Sequence, residues 1–489
     1  MLKKTIQRIN NMGEVSLKKA TFITALSKYS TIFLNLLFSA ILARLLSPED
    51  YGIVAVTVVF TTFFSLFSDM GLGAGIIQNK ELNQDDINSI FTFTIKLSII
   101  LFILFSLFSI PMSFFYKDKV YIPVGILLAF SLLFSALNLV PNAILLKQKR
   151  FVLVGLRTII LCVASGVLTI VFALLGLKYY ALVLQTVLSS FATFLWNYLT
   201  TLPKYVKKVN KESISKIKNY SAFSFAFNII NYFARNTDNL LISKFMGTAQ
   251  LGYYDKAYKL MCYPTNNLTH VITPVLHPIL SEHQNNKKYV YDKYLQIVKL
   301  LSLCGIFIMT FCFFASKEII LIMFGQRWEY AIPCFKYLSI SIWAQVITSS
   351  SGSIFSSIGD TKKMFFTGVL NSVLTVTAII LGLLEGNINS VSRNVGIVYN
   401  ITFITTYIIL IQFSFKMNYF NFIKTFVPDF VLLFIMFLSG FGINMLIKYI
   451  NIENMIIICI IKFVLMLLVY IISLIILRQH KVFIKLLRK

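Results

Sequence analysis

Apolar residues run in blocks of about twenty along nearly the whole chain, the length that spans a bilayer's hydrocarbon core. Between the blocks lie short polar stretches, none long enough to build an extramembrane domain with its own core. The pattern predicts an all-α, polytopic integral membrane protein. About fourteen spans are expected, near 20–43, 52–78, 88–110, 120–145, 152–175, 179–200, 220–243, 256–280, 292–314, 331–356, 364–384, 394–414, 426–447 and 454–477. The N-terminal segment is polar and basic and lacks a short apolar run with a small-residue cleavage site. The first block is therefore expected to be a spanning helix and not a removed signal.

The pattern also repeats. Ala43-Arg44-Leu45-Leu46-Ser47-Pro48-Glu49-Asp50-Tyr51-Gly52 returns as Ser243-Lys244-Phe245-Met246-Gly247-Thr248-Ala249-Gln250-Leu251-Gly252, and Phe114 with Ile122-Pro123 returns as Phe324 with Ile332-Pro333. Recurrence in the same order points to a duplication, a frequent plan of membrane transporters. In the first copy, Ser47 suits an N-cap, Pro48 a first helical position, and Glu49 and Asp50 the positive end of a helix. The competing reading, catalytic carboxylates of a lipid-linked-sugar glycosyltransferase, fits the second copy poorly, because Gln250 replaces the acid there.

Composition agrees with the pattern. Of 489 residues 57% are hydrophobic and only 13% charged, and the mean hydropathy is +0.78. The net charge of +26 would suggest nucleic acid in a soluble protein. Here loop bias explains it. With the N-terminus inside, inside segments hold roughly 26 Lys and Arg and outside segments roughly 10, so both termini are expected in the cytoplasm. The six cysteines are scattered in apolar blocks without a Cys-x-x-Cys pair, which argues against disulfides and zinc. No metal or cofactor motif is present. Gly71-Leu72-Gly73-Ala74-Gly75 lacks the Lys and Ser/Thr of a phosphate loop and reads as close helix packing, so nothing points to ATP hydrolysis.

The informative residues are ionisable groups inside the spans, which are costly in lipid and usually face a cavity or each other. They are Lys28, Asp69, Lys96, Arg157, Arg235, Asp238, Lys259, Lys299, Lys336, Asp429 and Lys462. Lys28, Lys96, Arg157 and Lys299 each fall about seven residues in from the cytoplasmic end, a shared depth of roughly 10 Å. Such a tier suits an anionic substrate; the competing reading is lysine stems snorkelling to the headgroups. Arg235 and Asp238 share one face of span seven among Asn228, Asn231, Asn236 and Asn239, either as a polar cavity site or as a neutralising pair that fixes packing. Span eight carries Pro264, Pro274 and Pro278 with His270 and His277, which suggests a bent helix beside a wet cavity. Proton coupling and plain packing both remain open for the histidines. Lys462 sits mid-span in the last helix without an evident partner.

Arg44-Leu45-Leu46-Ser47-Pro48-x-x-Tyr51-Gly52, Phe67-Ser68-Asp69-Met70-Gly71-Leu72-Gly73 and Ile77-Gln78 resemble the opening of polysaccharide exporters. So do Asn236-x-Asp238-Asn239-Leu240-Leu241-Ile242, Leu251-Gly252-Tyr253-Tyr254-x-x-Ala257-Tyr258 and Phe324-Gly325-x-x-Trp328-x-x-Ala331-Ile332-Pro333. The family so resembled is the Wzx-type O-antigen and colanic-acid-like flippases of the multidrug/oligosaccharidyl-lipid/polysaccharide superfamily. The resemblance thins after about residue 415. It implies two pseudo-symmetric six-helix lobes, 1–203 and 220–415, joined by a basic cytoplasmic linker at 204–219. Two further helices and a basic tail follow in 416–489. It also implies alternating access of a central cavity to either side of a bacterial cytoplasmic membrane, the cargo being undecaprenyl-pyrophosphate-linked oligosaccharide.

The expected function is thus a flippase and not an enzyme, without cofactor or metal. Its partners would be the lipid-linked oligosaccharide, the bilayer and other polysaccharide-assembly membrane proteins, with no nucleic acid. Lys28, Lys96, Arg157, Arg235 and Lys299 are the candidate substrate-binding cations. Asn231, Asp238 and His270 are the candidate cavity or ion-coupling groups. Two alternatives stay open: a multidrug exporter of the same superfamily, and a membrane glycosyltransferase or polymerase of lipid-linked sugars.

Overall fold

The computed structural model describes residues 17–207, 209–215, 222–281, 283–284, 286–450 and 452–482, and every regular element among them is helical. The chain divides into two compact units, Met1–Lys244 and Phe245–Lys489.

The first unit is built on α1 (Leu17–Leu45), α2 (Pro48–Asp69), α3 (Leu72–Gln78), α4 (Gln84–Tyr116), α5 (Tyr121–Leu137), α6 (Leu139–Lys147), α7 (Phe151–Leu174) and α8 (Tyr179–Thr201). After them come α9 (Lys211–Ser215) and α10 (Ala222–Met246). The Ser-Pro-Glu-Asp turn opens α2 with a full capping box: Ser47 Oγ accepts from the Asp50 amide at 3.2 Å, and Asp50 Oδ2 accepts from the Ser47 amide at 2.9 Å. Asp50 has a second duty, since its Oδ1 accepts from the Tyr179 amide at 3.0 Å and so ties the start of α8 to the start of α2. Glycines let α7 approach α1: a Cβ at Gly166 would lie 2.5 Å from the Phe38 ring.

The basic stretch after α8 is fixed along the first turns of α4. Amides of Lys204, Val206 and Asn210 donate to Asn88 Oδ1, Thr92 Oγ1 and Ser89 Oγ at 2.7–2.9 Å, and Ser213 donates to Asp86 at 2.6 Å. Elsewhere in the first unit, α10 docks on α2 and on the last turn of α4. Tyr232 donates to the Val59 carbonyl, Tyr116 donates to the Leu240 carbonyl at 3.4 Å, and Lys244 donates to the Phe115 carbonyl.

The second unit holds α11 (Thr248–Ser281), α12 (Lys287–Phe314), α13 (Ser316–Phe324), α14 (Ala331–Ser339), α15 (Ile342–Thr348), α16 (Ser351–Ser357), α17 (Thr361–Leu384) and α18 (Ile388–Tyr407). They are followed by α19 (Tyr419–Lys424), α20 (Val427–Ile450) and α21 (Met455–Ile476). The expected span 331–356 is cut into three short helices. Its serines explain the cuts: Ser339, Ser341, Ser349 and Ser350 donate side-chain bonds to carbonyls three residues back at 2.7–2.9 Å, competing with the helical ladder. The end of α18 widens into a π-helix over Ile408–Ser414. Its last carbonyls are held by Lys363 on Phe413 O at 2.8 Å and Lys287 on Ser414 O at 2.9 Å. Beside this clamp, burial pushes the Asp360 carboxyl up, but the hydrogen bond and charge of Lys363 outweigh it and hold the group below its ordinary range.

Eleven helical segments among the described residues are long and apolar enough to cross a membrane. They match eleven of the fourteen expected spans. The other three correspond to α10 and α11, which carry charged and amide residues, and to the broken run α14–α16.

Candidate functional site: charges inside the spans

Among the described side chains of α1, the exposed large apolar ones are Leu26, Tyr29, Phe33, Leu37 and Ile41. At about 100° per residue they form one stripe, the face such a helix turns to lipid. Lys28 is also exposed but points about 160° away from the centre of that stripe, and Asn35, two turns on, shares its face to within about 20°. Lys96 behaves in the opposite way. On α4 it falls in the middle of the exposed stripe of Ile99, Ile100, Ile103, Leu107, Ile110 and Phe114, where a lysine stem lies along apolar surface and its ammonium seeks the headgroups.

Arg157 turns into the first unit. It is 7% exposed, and its Nη1 donates to Asn197 Oδ1 on α8. Asn197, fully buried, donates in turn to Asn138 Oδ1 at 2.8 Å and Asn142 Oδ1 at 3.5 Å, at the junction of α5 and α6. Ser27 packs against Gly155, so Lys28 and Arg157 stand at one level of the α1–α7 contact while facing different ways.

Lys299, in the second unit, reaches a buried carboxylate. Its Nζ pairs with Asp429 Oδ1 at the start of α20 and donates to the Thr425 carbonyl at 2.7 Å. Ser302 donates to the other Asp429 oxygen at 2.6 Å and accepts from the Trp343 indole at 2.9 Å. Lys462, which the sequence left without a partner, has one: its Nζ lies 2.9 Å from Glu318 Oε1 on α13 and 2.8 Å from the Phe314 carbonyl. The last helix is therefore pinned to the second unit by a buried ion pair. Tyr470, donating to the Leu303 carbonyl at 2.9 Å, adds a second pin.

On α10, Arg235 is exposed while Asp238, one turn on, is buried and accepts from the adjacent Asn239 amide at 2.8 Å. The side chains of Asn231 and His270, and that of His277, lie outside the described residues.

Two groups escaped the sequence reading. Asp255 and Lys256 are buried near the start of α11, with Lys256 Nζ 5.1 Å from the Phe324 ring centre and 5.9 Å from that of Trp328. Asp255 also pairs with Lys259 at 2.6 Å. The repeat offered a signal, because Ala55-Val56 occupy the matching positions of the first copy, but an Asp-Lys dipeptide reads as surface. Glu318 was missed because it follows the ninth span and looks like a loop acid.

A family profile described as "Polysaccharide biosynthesis protein" matches residues 41–333. The chain belongs to this family. Among similar proteins, the "Teichuronic acid biosynthesis protein TuaB" of Bacillus subtilis is 22% identical over 435 residues, covering 86% of this chain and 88% of that protein. The "Lipopolysaccharide biosynthesis protein WzxC" of Escherichia coli is 20% identical over 395 residues, covering 80% of each. The solved structure titled "Lipid II flippase MurJ, inward closed conformation" superposes with a TM-score of 0.74 at 16% identity, covering 94% of this chain and 99% of that one. The chain therefore shares the fold of that structure, and it is a multi-pass, all-α membrane protein of the polysaccharide biosynthesis family.

Proposed function

We propose that this protein is a flippase that carries undecaprenyl-pyrophosphate-linked oligosaccharide, the repeat unit of a polysaccharide, across a bacterial cytoplasmic membrane by alternating access. Membership of the polysaccharide biosynthesis family supports this reading, as do relatives named for teichuronic acid and lipopolysaccharide synthesis. The observation that carries it is the sign and placement of charge inside the spans. Lys28 stands away from the lipid-facing stripe of its helix, and Arg235 is exposed on the most polar span. These two are the cations that meet the pyrophosphate. Lys96 adds positive potential from the lipid edge, Arg157 and Lys299 lie within their own bundles, where Asp429 balances Lys299, and Asp238 with Asn231 and His270 supplies polar or ion-coupling groups.

In this reading 1–203 and 220–415 are the two repeats, 204–219 links them, and 416–489 adds two helices. Both termini lie in the cytoplasm, as the excess of Lys and Arg on that side requires. The protein transports and does not form glycosidic bonds; it works beside other polysaccharide-assembly membrane proteins. Fixed cations match a pyrophosphate and repel the organic cations of a multidrug exporter. The test is reconstitution into proteoliposomes with a labelled lipid-pyrophosphate-linked sugar. Movement of the label between leaflets is expected, and unchanged leaflet accessibility with intact protein refutes the proposal.

A further inference from the structure

Buried cations in membrane spans need a counter-charge, because an unneutralised one costs several kcal/mol. Lys299 has Asp429 and Lys462 has Glu318. Arg157, 7% exposed, has no carboxylate partner among the described residues, and a guanidinium, unlike a lysine ammonium, cannot shed its proton to escape the cost.

Its surroundings are short of acceptors. Arg157 fixes the orientation of the Asn197 amide, since only Oδ1 can face a guanidinium. That orientation turns Asn197 Nδ2 toward α5 and α6, which in turn fixes Asn138 and Asn142 with their oxygens inward at 2.8 and 3.5 Å. Each of the three amide oxygens thus accepts one hydrogen bond. Among the described residues, the two Nδ2 groups of Asn138 and Asn142 and the buried Nε of Arg157 are left as donors without an acceptor. A cluster with one fixed positive charge and surplus N–H groups is the chemistry of an anion site.

We propose that Arg157, Asn197, Asn138 and Asn142 form a binding site for a small monovalent anion of halide size inside the first unit. One guanidinium balances a single negative charge, whereas a pyrophosphate would bring more charge than the cluster can neutralise. The full burial of Asn197 leaves no approach for a glycan headgroup. The site neutralises the bundle at the α5–α6 junction and is independent of the flippase reading.

The experiment uses the full chain purified in detergent in a chloride-free gluconate buffer at constant ionic strength, with sodium chloride, sodium bromide and sodium phosphate titrated separately. Chloride and bromide should raise the unfolding temperature saturably, and phosphate should not. Arg157→Gln should abolish the halide response. If that variant does not fold, Asn142→Leu decides the matter, because losing one surplus donor should weaken the halide midpoint severalfold in a folded protein. No halide response in the wild type, or an equal response in wild type and variants, overturns the proposal. A response to phosphate alone overturns its choice of anion.

Discussion

Replacing Asp429 by leucine strands Lys299 in the second unit. The carboxylate is fully buried, and the Lys299 side chain keeps 13% of its exposure. The change removes an ion pair and the Ser302 bond of 2.6 Å, leaving Lys299 one carbonyl, that of Thr425 at 2.7 Å. Removing one partner of a buried pair costs about 3–5 kcal/mol. The residual exposure and the remaining carbonyl place this case near the low end, about 3 kcal/mol. Lys299→Met alone strands Asp429 in the same way and should cost a similar amount. The double variant buries no charge and should lose only about 1 kcal/mol, so the two changes should couple by several kcal/mol. The assay is unfolding of the detergent-purified single and double variants, with transport per folded molecule in proteoliposomes as the second readout. We expect the double variant to be more stable than either single one and to transport within about twofold of wild type. Additive costs would refute the pairing argument. Restored stability with transport still lost would show that the cargo needs the Lys299 charge directly.

Lys28→Gln should slow transport at least about tenfold, the effect of losing roughly 1.4 kcal/mol of headgroup binding, whereas Lys96→Gln, on the lipid stripe, should change it less than about threefold. Flux of a labelled lipid-linked sugar checks both, and equal effects would remove the distinction drawn from the helix faces. Gly396→Ala places a Cβ 2.5 Å from the Tyr337 carbonyl oxygen and should cost about 1–3 kcal/mol, while Gly442→Ala meets nothing within 4 Å and should be neutral or slightly stabilising by thermal unfolding. Lys462→Leu should destabilise through the stranded Glu318, and Glu318→Leu added to it should recover most of the loss, read as protease resistance of the last helix.

Much of this architecture could be read from the chain before any coordinates. Span lengths follow from block lengths, because lipid demands that each backbone segment satisfy its own hydrogen bonds. The cap at Ser47–Asp50 follows from local chemistry, since its partners lie within one turn. What could not be read was pairing at a distance. Lys299 meets Asp429 across 130 residues and Lys462 meets Glu318 across 144, and no local periodicity encodes which helices touch. The four aligned lysines and arginines looked equivalent because depth follows from counting residues. Facing depends on the whole bundle, and it separates Lys28 from Lys96 and turns Arg157 inward. The breaks in the tenth span were foreshadowed by its serines, but a hydropathy pattern reads serine as tolerable and continues the helix. The second hydrogen bond of Asp50, to Tyr179, had no local signal at all.

The measurement that bears most directly on the central claim compares cargos in one preparation: proteoliposomes with the full chain, offered a polyprenyl-pyrophosphate-linked sugar, the same sugar on a neutral lipid, and a lipophilic organic cation. The account predicts leaflet transfer of the pyrophosphate-linked sugar, sharply reduced transfer by Lys28→Gln, and little movement of the other two. Transfer of the cation in preference to the pyrophosphate, or equal transfer of charged and neutral sugars, would contradict it.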